Sequence, residues 1–211
     1  EVVGHMRERL ILPKKGEVPL VKRLRTSMEG GVDYHPYLPR EDGRLPMSDF
    51  GGAHRYNVTG LFHDMWGFPS DNPRIVQDLL HQLVDKINNN VHQIARLKEY
   101  YLEDATTILI SYGSSARSAL HVVENHMLRG DRLGLLELQT LWPFPYGLIR
   151  EKCVNAKYIV VVEMNMGQIL REVKMAVDQP QKVFLANRID GVFITPMDIR
   201  NLLGLIQGKG V

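Results

Sequence analysis

Four short apolar runs, residues 106–111 (TTILIS), 133–138 (LGLLEL), 158–162 (YIVVV) and 183–186 (VFLA), recur through the second half of this chain. Each is dominated by β-branched and aliphatic residues with little polar alternation, the pattern of a strand covered on both faces. Each is followed by a turn and a helix-period segment, which the spacing places at 115–129, 146–155, 167–177 and 196–206, the last with Thr195 as its cap. Strand and helix in strict alternation leave room for little except an α/β fold, a parallel sheet with helices on its faces. The strand order is not legible in the spacing.

A parallel sheet presents its useful loops at the carboxyl ends of the strands. Here those loops carry Gly113, Ser114 and Ser115, then 139–145 (QTLWPFP), then Glu163, Asn165, Gly167 and Gln168, then Arg188. Gly113-Ser114-Ser115 has turn and N-cap chemistry, and a helix N-terminus with a hydroxyl cap suits an anion. Every α/β domain has several such ends, so a structural role comes first. The lone Gly113 rules against a Gly-x-Gly-x-x-Gly dinucleotide turn, Ser114-Ser115-Ala116 lacks the second glycine of a hydrolase elbow, and no P-loop is present. Glu163 follows four apolar residues, where burial would raise its pKa toward acid–base use; the preferred reading is a helix cap or a partner of Arg171. Asn165, Gly167 and Gln168 are read as a polar contact surface.

The first half is different. From Leu10 to Gly60 proline, glycine and charged residues recur without periodicity, as in an extended linker draped over a neighbour. Lys14, Lys15, Lys22, Arg23 and Arg25 make its start basic, which reads as solvated linker or as a docking patch for an acidic surface. In 57–73, His63 and Asp64 are the residue types of a metal or proton-sharing pair, with Trp66, Phe68 and Pro69 as walls. Nothing nearby completes a ligand set, so no metal site is expected there and a folded loop is preferred. Asp71 or Asn72 is the expected cap of one long connecting helix over 71–103. Apolar residues every three or four positions from Val76 to Leu97 predict that helix, with a weak point at Asn88-Asn89-Asn90.

Composition narrows the function classes. Lys plus Arg number 26 against 24 for Asp plus Glu, so net charge gives no reason to expect nucleic acid. The single cysteine, Cys153, excludes a disulfide within the chain and an iron–sulfur cluster ligated by this chain alone. No apolar run reaches membrane-span length, no membrane association is expected, and the chain reads as cytoplasmic. It begins inside what reads as a working segment, EVVGHMRERL, which points to a domain upstream.

Six motifs, in order, resemble the alpha subunit of 2-oxoacid:ferredoxin oxidoreductases: Gly4-His5-Met6-Arg7-Glu8; Thr59-Gly60-Leu61-Phe62-His63-Asp64 with Gly67-Phe68-Pro69; Tyr112-Gly113-Ser114 with Ala116-Arg117-Ser118-Ala119; Trp142-Pro143-Phe144-Pro145; Val162-Glu163-Met164-Asn165 with Gly167-Gln168; and Arg188-Ile189-Asp190-Gly191. The resemblance implies that residues 1–70 hold the tail of an absent thiamine-diphosphate-type domain plus linker. It implies a transketolase C-terminal-like domain over 104–211. It implies a complex that oxidises a 2-oxo acid with coenzyme A and reduces ferredoxin. Thiamine diphosphate, magnesium and an iron–sulfur cluster then belong largely to a beta subunit, the expected partner, and none is bound by this chain alone. The same resemblance gives the fragment assembly and site-bordering roles, with no catalytic residue of its own. Met65-Trp66 departs from the pattern, since many relatives carry a further acid there.

Overall fold

The computed structural model describes residues 11–26, 33–127 and 132–208, so the expected motif at Gly4–Glu8 and the helix end at 128–129 lie outside the described residues. The chain divides into two compact units, Leu10–Asn90 and Val91–Val211.

The first unit is mostly loop, pinned by polar contacts. Residues 24–26 and 47 bond to each other (Met47 N–H to Leu24 O at 2.9 Å, Thr26 N–H to Met47 O at 3.1 Å), and Arg25 pairs with Asp49. The Tyr34 hydroxyl donates to Pro46 O and accepts from Ser48 N–H, both at 3.1 Å. Its helix, α1, spans Pro73–Asn88; Asn72 accepts from Arg74 N–H and Pro73 supplies a fixed first turn.

The single helix predicted over 71–103 does not form, and the boundary moves to Asn88. Asn89 N–H bonds back to Asp85 O, the Asn90 side-chain amide takes Lys86 O at 2.7 Å, and these local bonds close α1. A four-residue helix, α2 (Val91–Ile94), comes next, and Leu97–Tyr100 is a strand, β1.

The second unit is an α/β sheet. After β1 come β2 (Thr107–Ser111), α3 (Gly113–Met127), β3 (Leu133–Leu138), α4 (Tyr146–Cys153), β4 (Tyr158–Glu163), α5 (Gln168–Ala176), β5 (Val183–Asn187) and α6 (Pro196–Ile206). The order across the sheet is β1-β3-β2-β4-β5. The four later strands are parallel as predicted, but β1 runs antiparallel to β3, with Leu97 opposite Leu138, so the sheet is mixed. All five residues of β2 are buried. Alternate side chains feed two cores: Ile108, Ile110, Leu136, Ile159 and Val161 pack with α4 and α5, whereas Leu109, Leu135, Val160 and Val162 pack with α3 and α6. Gly134 is required in β3, because a Cβ there would stand 2.8 Å from Tyr101 O and Leu102 Cδ2.

Among the described residues, no helix is long and apolar enough to cross a membrane.

Candidate functional site

Topology singles out one place on the rim. The chain leaves β2 toward α3 on one face and leaves the neighbouring β4 toward α5 on the other. Adjacent strands whose loops part to opposite faces open a crevice at their carboxyl ends, where open α/β sheets bind ligands. In this sheet that crevice lies between β2 and β4.

It is bridged by the protein's own side chains. Glu163, the last residue of β4, is 0% exposed. Its Oε2 accepts from Ile169 N–H and its Oε1 from Leu170 N–H, both at 3.0 Å, so the carboxylate closes the first turn of α5. That is the helix-cap role preferred from the sequence, placed where the helix dipole favours negative charge. Beside it stands Tyr112, the first residue after β2, whose hydroxyl accepts from Asn165 Nδ2 at 2.5 Å. The Tyr112 phenol is pushed above its ordinary range by burial first and by the negative charge of Glu163 second, against the pull of Asn165. Asn165 also accepts from Gly167 N–H (2.9 Å) and Gln168 N–H (3.1 Å) through Oδ1, and its carbonyl takes the Asn187 amide at 2.8 Å. Gly167 adopts φ +84° at the N-cap of α5, a left-handed conformation that favours glycine.

The serines divide by direction. Ser115 is buried; its hydroxyl lies 2.8 Å from Tyr112 O, 3.2 Å from Val162 O and 2.9 Å from the buried Ser111 hydroxyl, which itself reaches Val162 O at 2.8 Å. The Ser111 hydroxyl thus ties β2 to β4, while Ser115, in the first turn of α3, joins the same junction and is turned away from any anion at the α3 terminus. Ser114 faces the Met164 sulfur at 3.8 Å, and Gly113 opens α3 at φ +57°. Arg188 is committed locally: it grips Asp190 (2.5 and 3.2 Å) and reaches Asp198 at 3.5 Å, next to the Thr195 cap of α6. The structure therefore gathers Ser114, Ser115, Glu163, Asn165, Gly167 and Gln168 about one crevice. Tyr112, which the Tyr112-Gly113-Ser114 motif contains, joins them, as do Ser111 and Asn187, which only their place at strand ends marked. Around this polar centre Trp142, Met166, Ile189, Val192 and Met197 are exposed. A Trp142-Pro143 cis peptide precedes Phe144, which is buried in the sheet's core.

His63 and Asp64 belong to the first unit. Asp64 Oδ1 accepts from Trp66 N–H (2.9 Å) and Phe68 N–H (3.0 Å), which folds 62–70 into a tight turn, and His63 Nδ1 contacts Asp64 O at 3.1 Å. Gly67 permits that turn: a Cβ would stand 2.1 Å from Asn57 O. Among the described residues no group of three or more His, Cys, Asp or Glu could hold a metal. Cys153 is buried in α4 with its thiol pushed up to about 12, opposite to the thiolate a cluster or zinc ion requires. Among the described residues, then, no such donor cluster is assembled, and Ser115 directs its hydroxyl into the fold, to Tyr112 O and Val162 O.

Residues 105–199 match the family described as pyruvate:ferredoxin oxidoreductase core domain II. Over 202 residues the chain is 36% identical to 2-oxoglutarate synthase subunit KorA of Methanothermobacter marburgensis, covering 95% of this chain and 53% of that protein. Over 114 residues it is 38% identical to ketoisovalerate oxidoreductase subunit VorB of the same species, covering 54% of this chain and 32% of that protein. The chain thus spans about half the length of the KorA relatives it matches. A solved structure, 2-oxoglutarate:ferredoxin oxidoreductase from Magnetococcus marinus with 2-oxoglutarate, coenzyme A and succinyl-CoA bound, superposes with a TM-score of 0.80 at 21% identity, covering 92% of this chain and 34% of that one. At that identity the likeness speaks to the fold.

Proposed function

We infer the function of this chain from its family, for it belongs to the alpha subunits of the 2-oxoacid:ferredoxin oxidoreductases. It serves as the C-terminal, transketolase C-terminal-like portion of that subunit. The whole enzyme oxidises a 2-oxo acid with coenzyme A to acyl-CoA and carbon dioxide, and two electrons leave through an iron–sulfur cluster to ferredoxin. The named relatives support 2-oxoglutarate as the first acid to test. Thiamine diphosphate, magnesium and the cluster of the whole enzyme belong largely to the beta subunit, as the family resemblance implies.

One observation carries the role given to this part. The crevice where such a sheet would take a ligand is filled by Tyr112 and Asn165, and its acid, Glu163, spends both oxygens on α5. What remains outward is a set of ordered amides ringed by exposed apolar side chains, the composition of a contact surface. The rim therefore works in assembly and in bordering the site of the complex. The test is co-purification with the beta subunit, then acyl-CoA formation from 2-oxoglutarate, pyruvate and branched-chain 2-oxo acids. Turnover by the chain without a partner, or no association with a beta subunit, overturns this reading.

A further inference from the structure

Two neighbouring turns at the carboxyl end of the sheet exchange side chains. Tyr112 comes from the turn that leads to α3, yet it packs on the core layer of α4 and α5; Met164 comes from the turn that leads to α5, yet it packs on the layer of α3 and α6. Ser114, at the start of α3, places its hydroxyl 3.8 Å from the Met164 sulfur. The turns are therefore interleaved, and an outward swing of either drags a side chain out of the other's layer, where close packing resists the move.

One residue stands where these turns meet a third. Asn165 donates its side-chain amide to the Tyr112 hydroxyl (2.5 Å) in the turn after β2. Its side-chain oxygen accepts from Gly167 and Gln168 N–H (2.9 and 3.1 Å) in its own turn, and its main-chain carbonyl accepts from the Asn187 amide (2.8 Å) at the end of β5. Arg188 N–H adds a tie from the β5 turn to Glu163 O at 3.4 Å. Beneath these bonds the buried Ser111 and Ser115 hydroxyls close on Val162 O, so the base of the junction is sealed inside the fold. The lip is held by Tyr112 and Asn165, both only half-buried.

We propose that Asn165 is a positioning residue that clasps the turns after β2, β4 and β5 into one body, so that displacing any one of them opens all three. Turns held by separate local bonds loosen one at a time, each with its own free energy of opening. Turns clasped through a common residue share a single opening event, and the loss of any tie makes that event easier for all of them. The clasp carries a displacement at the entry to α6 across to the start of α5. It goes beyond the contact role given to the rim, since every bond in it lies within this chain.

The test is amide hydrogen exchange on the full chain, read at Gly167, Gln168 and Arg188, whose N–H groups bond to Asn165 Oδ1 and Glu163 O. Tyr112→Phe keeps the packed ring and removes only the hydroxyl. It should speed exchange at all three amides by one common factor, about three- to tenfold, the range set by one hydrogen bond, although Arg188 lies two strands away. Asn187→Ala cuts the clasp from the other side and should speed Gly167 and Gln168 within the same range, although Asn187 bonds to neither. The turn amides of Ala105 and Ala156, at the amino ends of β2 and β4, bond to Leu102 O and Cys153 O and should keep their wild-type rates in both variants. Acceleration confined to Gly167 and Gln168 in Tyr112→Phe, or to Arg188 in Asn187→Ala, means turns that open separately and overturns the proposal. Wild-type rates at all three amides overturn it as well, and so does an equal acceleration at Ala105 and Ala156, which marks a loosening of the whole domain. The family role is independent of all these results.

Discussion

Replacing Glu163 by glutamine tests the construction of the rim most directly. The carboxylate is fully buried and accepts one amide proton on each oxygen, from Ile169 and Leu170 at 3.0 Å. Glutamine keeps one acceptor and turns its NH₂ group toward the second amide, so a buried N–H loses a charge-assisted partner and faces another donor. The lost bond and the unsatisfied group together cost about 2–3 kcal/mol, and the missing negative charge at the α5 terminus adds up to about 1 kcal/mol. The expected loss is thus about 3 kcal/mol, which for a chain of this size lowers Tm by about 6–12 °C. Guanidinium unfolding at pH 7 should show the loss as a shifted midpoint with an unchanged slope. If Glu163→Gln instead melts within about 2 °C of the wild type while the assembled enzyme loses turnover, the carboxylate is a proton-transfer group and the cap argument fails.

Single features elsewhere in the molecule carry their own expected outcomes. Gly67→Ala places a Cβ against Asn57 O at a backbone angle of +88°, and about 1–3 kcal/mol of local strain should speed hydrogen exchange at the Asp64 and Ser70 amides tenfold or more, with the sheet unit's melting unaltered. Thr195→Ala removes half of the capping box of α6 and should cost about 1 kcal/mol in chemical denaturation. The Arg188 hydrogen bond holds the Asp190 carboxyl at about 2, below its ordinary 3.8; this contribution is present above the unfolded value and is lost as pH falls through about 2. A carbon-detected titration of Arg188→Ala should move that midpoint back up into the usual carboxylate range. Cys153, with its thiol pushed up to about 12 by burial, should resist a disulfide reagent at pH 8 in the folded chain and react promptly once the chain is unfolded.

The parallel strands are legible in the sequence because burial on both faces leaves a continuous apolar run, as in 158–162. The edge strand Leu97–Tyr100 is not: Leu97 continues the three-and-four rhythm of α1, and what makes 97–100 a strand is pairing with Leu135–Leu138, far along the chain. A local period cannot report a non-local ladder. Glu163 is legible as a cap from its place between a strand and a helix. The bridging role of its neighbour Tyr112 is not, since the bond to Asn165 crosses 53 positions and depends on strand order. The aromatic cluster of the first unit is hidden for a similar reason: Tyr34, Phe50 and Tyr56 are scattered among prolines and glycines with no period to connect them.

The two cores on either side of the sheet carry a consequence for how this sequence can be varied. Ile110 and Val161 pack only in the layer of α4 and α5, Leu109 and Val162 only in the layer of α3 and α6, and the backbone ladder stands between. Substitutions in one layer share no packing partner with those in the other, so their effects should sum, whereas pairs within a layer should not. Libraries can then be recombined one layer at a time. Two half-redesigned domains, each sound, would be interchangeable parts, and a lineage could rewrite one side of the sheet while the other preserved the fold.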